Sequence, residues 1–211
     1  MTAALRDVRS PGWTTRAPVA ALFLHGFGSD EHDLTGLAPA LGLAMPWASL
    51  RAPLSLGVGA AWFAVTTPGS PDLQAVADAT DAVWAWVDAQ LDPDTQVVPI
   101  GFSQGGLMAS QLLRTRPERV LAPVILSGFI LGAPQPADTS LAENRPPVFW
   151  GRGAQDRVIA APAITRTESW LPAHTQPTCR VYNGLAHGIN ATEIADVRDF
   201  LTAHTSTNTP A

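Results

Sequence analysis

The sequence predicts a wound α/β fold, a mostly parallel sheet flanked by helices. Three observations point to it. Short continuous apolar runs read as strands buried on both faces, the stretches between them carry helical periodicity, and the two kinds alternate along the chain. At 211 residues the chain suits one domain over 1–211, with a core at about 14–204 and a polar tail from 205.

Residues 18–24 (PVAALFL) form the first buried strand, followed by His25-Gly26-Phe27-Gly28. A helix is expected over 30–41, with Ser29 as cap and Asp30, Glu31 and Asp33 at the positive end of its dipole. A short strand at 44–50 leads into a loop rich in proline and glycine over 51–61. Ser70-Pro71-Asp72 opens a long helix as cap, first helical residue and first-turn acid. Leu73, Val76, Val83, Trp84, Val87 and Leu91 fall at helical spacing and define its buried face.

Residues 96–102 (QVVPIGF) are the next strand, and a helix over 104–114 stops before Pro117. Strands at 120–126 and 147–150, a helix at 161–171 and a strand at 178–182 continue the alternation. The last helix, 191–204, has Asn190 as cap, Glu193 in a capping-box position and a buried stripe of Ile194, Val197, Phe200 and Leu201. The connection over 127–146 is too short for a large cap domain, so access to the carboxyl ends of the strands should be open.

Charge and composition exclude several classes. A net charge of −5 without a basic run argues against nucleic acid and against docking on an anionic membrane. Cys179 is the only cysteine, so no internal disulfide can form. The most apolar run, 120–131, is too short to span a bilayer, and the first residues lack a signal-peptide pattern. A cytoplasmic protein without a stable membrane anchor is the expectation, its oligomeric state left open between monomer and homodimer.

The sharpest chemical signal is Gly101-Phe102-Ser103-Gln104-Gly105, a G-x-S-x-G between a buried strand and a helix. That placement holds the serine in a strained turn, with helix N-terminal amides behind it. A serine hydroxyl needs a base, and the base needs an orienting acid. Of the five histidines, His187 lies in the loop between the last strand and the last helix, where strand carboxyl ends converge. Asp156 leaves the strand at 147–150 on that same side; Asp138, Asp196 and Asp199 are rivals, with Asp196 expected in solvent. The order Ser103, Asp156, His187 is that of the α/β-hydrolase fold. The Phe27 and Gln104 amides are the candidate oxyanion donors. Leu54, Leu56, Val58, Trp62 and Phe63 obey no period that would bury them in the main core, which makes them candidates for an acyl-pocket wall. The competing reading is that Trp62 and Phe63 plug a satellite core.

At these residues the chain resembles the small α/β-hydrolases that include carboxylesterases, lysophospholipases and acyl-protein thioesterases. The resemblance rests on Leu24–Gly28, Arg51-Ala52-Pro53 with Trp62-Phe63, Gly101–Gly106, Asp156–Ile159 and Leu185-Ala186-His187. It implies a serine hydrolase that needs no cofactor or metal and acts on small ester or thioester substrates through an acyl-enzyme. Short- or medium-chain carboxylesters are the first expectation, with lysophospholipid or acyl-protein thioester as the alternative. Two departures are Ala64, where the family usually has aspartate, and Ala186, where it favours glycine.

Two other classes are weaker. Asp30-Glu31-His32-Asp33 has metal-ligand chemistry, but acids are expected at a helix start and no His-x-x-x-His pair supports a site. A non-catalytic binding protein on the same fold would usually lack part of the triad, and here all three residue types are present.

Overall fold

The computed structural model describes residues 5–205. Its centre is a seven-stranded sheet of β1 (Asp7–Arg9), β2 (Val19–Leu24), β3 (Trp47–Leu50), β6 (Gln96–Phe102), β7 (Val124–Leu126), β8 (Pro147–Gly153) and β9 (Gln176–Tyr182). The spatial order is β1-β3-β2-β6-β7-β8-β9. Every neighbouring pair is parallel except β1 with β3. The edge strand β1 has no sequence signal, because three half-buried residues with two charges carry no apolar period.

The apolar runs divide by the two-residue period of a strand. In β2, Ala20, Leu22 and Leu24 join one core cluster, whereas Val19, Ala21 and Phe23 join the other. The first core is covered by α2 (Leu73–Gln90), α3 (Gln104–Thr115) and α5 (Ala161–His174), the second by α1 (Leu37–Leu41) and α6 (Ala191–Thr205). Both faces of the sheet are thus dry, and a strand with no polar side can only be central.

Several elements differ from expectation, each for a local reason. Only Leu37–Leu41 of the helix expected at 30–41 is helical. Ser29 bridges to Ala60 instead of capping, Asp30 takes the His32 amide at 2.8 Å, and Glu31 turns inward to Arg51 at 2.8 Å. These local bonds replace the first helical turns. The loop at 51–61 contains a hairpin, β4 (Leu54–Leu56) with β5 (Gly59–Ala61), turning at Gly57.

The cap of α2 is Asp72, whose Oδ1 accepts from the Ala75 amide at 2.8 Å; Ser70 is outside the helix and Leu73 is exposed. The strand expected at 120–126 is cut to Val124–Leu126: Val120 makes only an isolated bridge to Val97, and the chain breaks from the sheet over 121–123. The connection before β8 contains α4 (Asp138–Asn144), held by Arg114, which reaches Asp138 at 2.7 and 2.8 Å. The capping box of α6 is only half made. Asn190 Oδ1 accepts the Glu193 amide at 2.8 Å, but the Glu193 carboxyl makes no return hydrogen bond. No described helix is long and apolar enough to cross a membrane.

Candidate active site

The loops at the carboxyl ends of β2, β6, β7, β8 and β9 meet above the sheet, and Ser103 stands at their centre. It joins β6 directly to α3 at φ 54° and ψ −113°, a backbone region costly for a side-chain-bearing residue, by about 1–3 kcal/mol. Its amide is tied to Leu126 O at 2.8 Å. The flanking glycines are required by close approach: a Cβ at Gly101 would overlap the Gly105 carbonyl, and one at Gly105 the Leu24 carbonyl. The sequence pattern therefore has a packing cause.

His187 Nε2 is 2.9 Å from Ser103 Oγ, and His187 Nδ1 is 2.7 Å from Asp156 Oδ2. Asp156 is itself fixed, since its Oδ1 accepts the Val158 amide at 2.8 Å and the Ile159 amide at 3.2 Å. A carboxylate at Nδ1 keeps the ring proton there and leaves the Nε2 lone pair for the serine hydroxyl. Phe102 packs against the imidazole, ring centres 4.9 Å apart.

His25 has another job. Its ring is fully buried; Nε2 accepts the Ala52 amide at 3.1 Å and Nδ1–H donates to Gly26 O at 2.7 Å. Burial holds its pKa below the ordinary imidazole value, so it stays neutral. Gly26 O also accepts the Ser29 amide at 3.2 Å. In a planar trans peptide the N–H lies opposite the carbonyl, so these two bonds aim the Phe27 amide the other way. Among the described residues neither the Phe27 nor the Gln104 amide has an acceptor, and both residues border the same cavity as Ser103.

The sequence profile of the phospholipase/carboxylesterase family matches residues 8–205. The chain belongs to that family. An acyl-protein thioesterase 1 of Cryptococcus neoformans is 25% identical, the match covering 85% of this chain and 90% of that protein. Among solved structures, a Bacillus cereus carboxylesterase superposes with a TM-score of 0.80 at 20% identity, covering 94% of each chain. A Mesorhizobium loti carboxylesterase gives 0.75 at 22% identity, over 88% of this chain and 89% of that one. These likenesses support the fold, and family membership places the protein among hydrolases of ester bonds.

On the family frame, the apolar candidates separate. A cavity of about 290 Å3 opens beside Ser103 and is bordered by Phe63, Val65, Phe129, Val158 and Ile159. Of the five wall candidates only Phe63 borders it. Leu54, Leu56 and Val58 sit on the exposed β4–β5 hairpin, away from the cavity. Trp62 is buried in the main core, 2% exposed, with its indole N–H donating to His25 O at 2.9 Å. Both expectations for Trp62 are thus corrected: it lines neither the cavity nor a satellite core but joins the main cluster, as Phe63 also does, and its N–H finds a partner there. Gln104 ties the same segment, its side chain accepting the Trp62 amide at 2.8 Å and donating to Phe63 O at 2.7 Å. Phe129 could not be found from sequence, because its loop meets Ser103 only through the β6–β7 pairing. Val158 and Ile159 carried a signal, being an apolar pair beside the acid and outside any helix or strand.

The rival groups have other partners. Asp138 pairs with Arg114, which holds its carboxyl below the usual range against the opposing effect of burial. Asp196 is not simply solvated, since it accepts from Tyr182 Oη at 2.8 Å. His174 stacks on Trp170 and His204 packs on Phe200. Glu31, from the acidic cluster, pairs with Arg51 and Arg6, and among the described residues no three metal-binding side chains converge.

Proposed function

We propose that the protein hydrolyses carboxylic esters or thioesters through an acyl-enzyme on Ser103. The observation that carries this reading is the continuous hydrogen-bonded series Ser103–His187–Asp156 at the edge of an apolar cavity. In the first step Ser103 Oγ attacks the acyl carbon while His187 Nε2 takes the hydroxyl proton. The carbonyl electron pair moves to oxygen, facing the amides of Phe27 and Gln104. Collapse of that intermediate expels the alcohol or thiol, which leaves with the proton from His187. Water then repeats the sequence, releasing the acid and restoring Ser103.

The cavity wall favours an uncharged acyl group, since no charged side chain borders it, and its volume of about 290 Å3 suits a short or medium chain. The similarity to an acyl-protein thioesterase makes thioesters the second substrate class to test. The lone thiol, Cys179, leaves the fold independent of disulfides, in keeping with a cytoplasmic setting.

A fluorophosphonate probe should label wild-type protein at Ser103, and Ser103→Ala should cut hydrolysis of p-nitrophenyl butyrate by at least about 10³-fold. A folded Ser103→Ala protein with wild-type rates, or one still labelled by the probe, overturns the reading. Wild-type protein that neither labels nor hydrolyses would point to a binding protein on a hydrolase fold.

A further inference from the structure

Arg166, on α5, lies outside the hydrogen-bonded series and does not border the cavity, yet its guanidinium joins two segments that do. Its Nε donates to Ile130 O at 2.7 Å, next to the cavity residue Phe129. Its Nη2 donates to Gly69 O at 2.9 Å, in the stretch where Thr67, Pro68, Gly69 and Pro71 form another part of the wall. The neighbouring Thr167 accepts the Ile130 amide at 2.9 Å, so consecutive residues of α5 hold both sides of that peptide position. Among the described residues Arg166 forms no ion pair, and its guanidinium donates to main-chain carbonyls.

The Gly69 wall is also seated on the start of α5. Gly69 has φ +74°, and a Cβ there would press on the side chains of Ala160 and Ala163 at 2.9 and 3.1 Å. The same turn continues from Val158 and Ile159, a third part of the cavity rim. Three walls therefore converge on α5, and Arg166 is the side chain that spans two of them. A planar guanidinium holds two acceptors at a fixed separation, which a single ammonium on a flexible stem cannot do.

We propose that Arg166 is a positioning residue that sets the width of the acyl cavity and thereby the acyl-chain preference of the enzyme. This rests on Ser103 being the acylated residue. Short acyl groups, which occupy only the space next to Ser103, should be indifferent to Arg166. Longer ones, which need contact with both walls, should not be, and one lost methylene contact already amounts to about tenfold in discrimination.

The test compares kcat and KM on p-nitrophenyl acetate, butyrate and octanoate. For Arg166→Met the octanoate-to-acetate ratio of kcat/KM should change by about tenfold, mainly through KM, with acetate hydrolysis and fluorophosphonate labelling within about twofold of wild type. Arg166→Lys should fall between. Gly69→Ala, which pushes the same wall away from the start of α5, should shift the same ratio and gives a second route if Arg166→Met folds poorly. Wild-type turnover of the ester series is measured first and tests Ser103 separately. With that in place, an unchanged ratio, or equal losses on acetate and octanoate, overturns the role of Arg166 and leaves the reading of Ser103 standing.

Discussion

Two buried carboxyl groups lie close to the same pair of loops and behave in opposite ways. The side chain of Asp156 is buried and accepts three hydrogen bonds, from His187 and from the amides of Val158 and Ile159. Glu193, on the first turn of α6, is fully buried against Gly151 of β8, and neither of its oxygens accepts a hydrogen bond. Its pKa is pushed up to about 7 by burial first and by the neighbouring Asp196 second, the nearby Asn190 amide acting in the opposite direction. Both side chains are shut away from solvent, but only one of them is supplied with hydrogen-bond donors.

The largest expected effect comes from replacing the carboxyl that is fully hydrogen-bonded. Asp156→Asn should lower kcat by about 10⁴-fold on any ester the wild type hydrolyses, because an amide no longer holds His187 in the required tautomer. In a Ser103→Ala background the further loss should be negligible, since the three groups act as a unit. Steady-state rates on the single and double variants check both outcomes, and a full multiplicative loss in the double variant would separate Asp156 from the series.

The unsupported carboxyl should show itself in stability. With its folded pKa raised from the ordinary 4.5 to about 7, Glu193 binds a proton in the folded chain that the unfolded chain has already released. Stability therefore falls as pH rises between about 4.5 and about 7, and the whole loss is present above that window. The shift corresponds to a loss on the order of 3 kcal/mol. Glu193→Gln should flatten this part of the profile and leave the variant more stable than wild type at pH 8, by chemical denaturation. Parallel profiles for the two proteins would mean that the carboxyl finds a donor in solution.

The smallest expected effect sharpens the contrast. Because Glu193 touches the strand behind Asp156 and not the reacting groups, Glu193→Gln should change kcat/KM at pH 8 by less than about twofold. A change approaching that of Asp156→Asn would show that the two carboxyl groups are coupled through β8.

Much of the site was legible because its chemistry is local. Glycines on either side of Ser103 are needed wherever a helix follows a strand without a spacer, and the residues just after strands β8 and β9 must emerge on one side of a parallel sheet. Strand positions were legible for the same kind of reason: a run such as VAALFL has no polar face to show to water. Boundaries governed by side-chain competition were not. The acidic stretch after Ser29 reads as a helix start until Glu31 is seen turning inward to Arg51, a residue 20 positions away. Likewise nothing in Asp138 announces that Arg114 will claim it and fold the connection around it.

The sequence alone determined the wound α/β fold and the order of its serine, acid and histidine, because strand burial and loop side follow from short-range pattern and chain direction. Only the tertiary structure decided which apolar residues face the cavity. Trp62 and Phe63 are adjacent in sequence and both buried in the main core, yet the indole N–H of Trp62 finds the His25 carbonyl while only Phe63 also borders the cavity beside Ser103. Phe129, Val158 and the stretch around Gly69 become one cavity through long-range contacts such as those of Arg166. Pocket walls are made of residues distant in the chain, and their meeting depends on packing that no local period encodes.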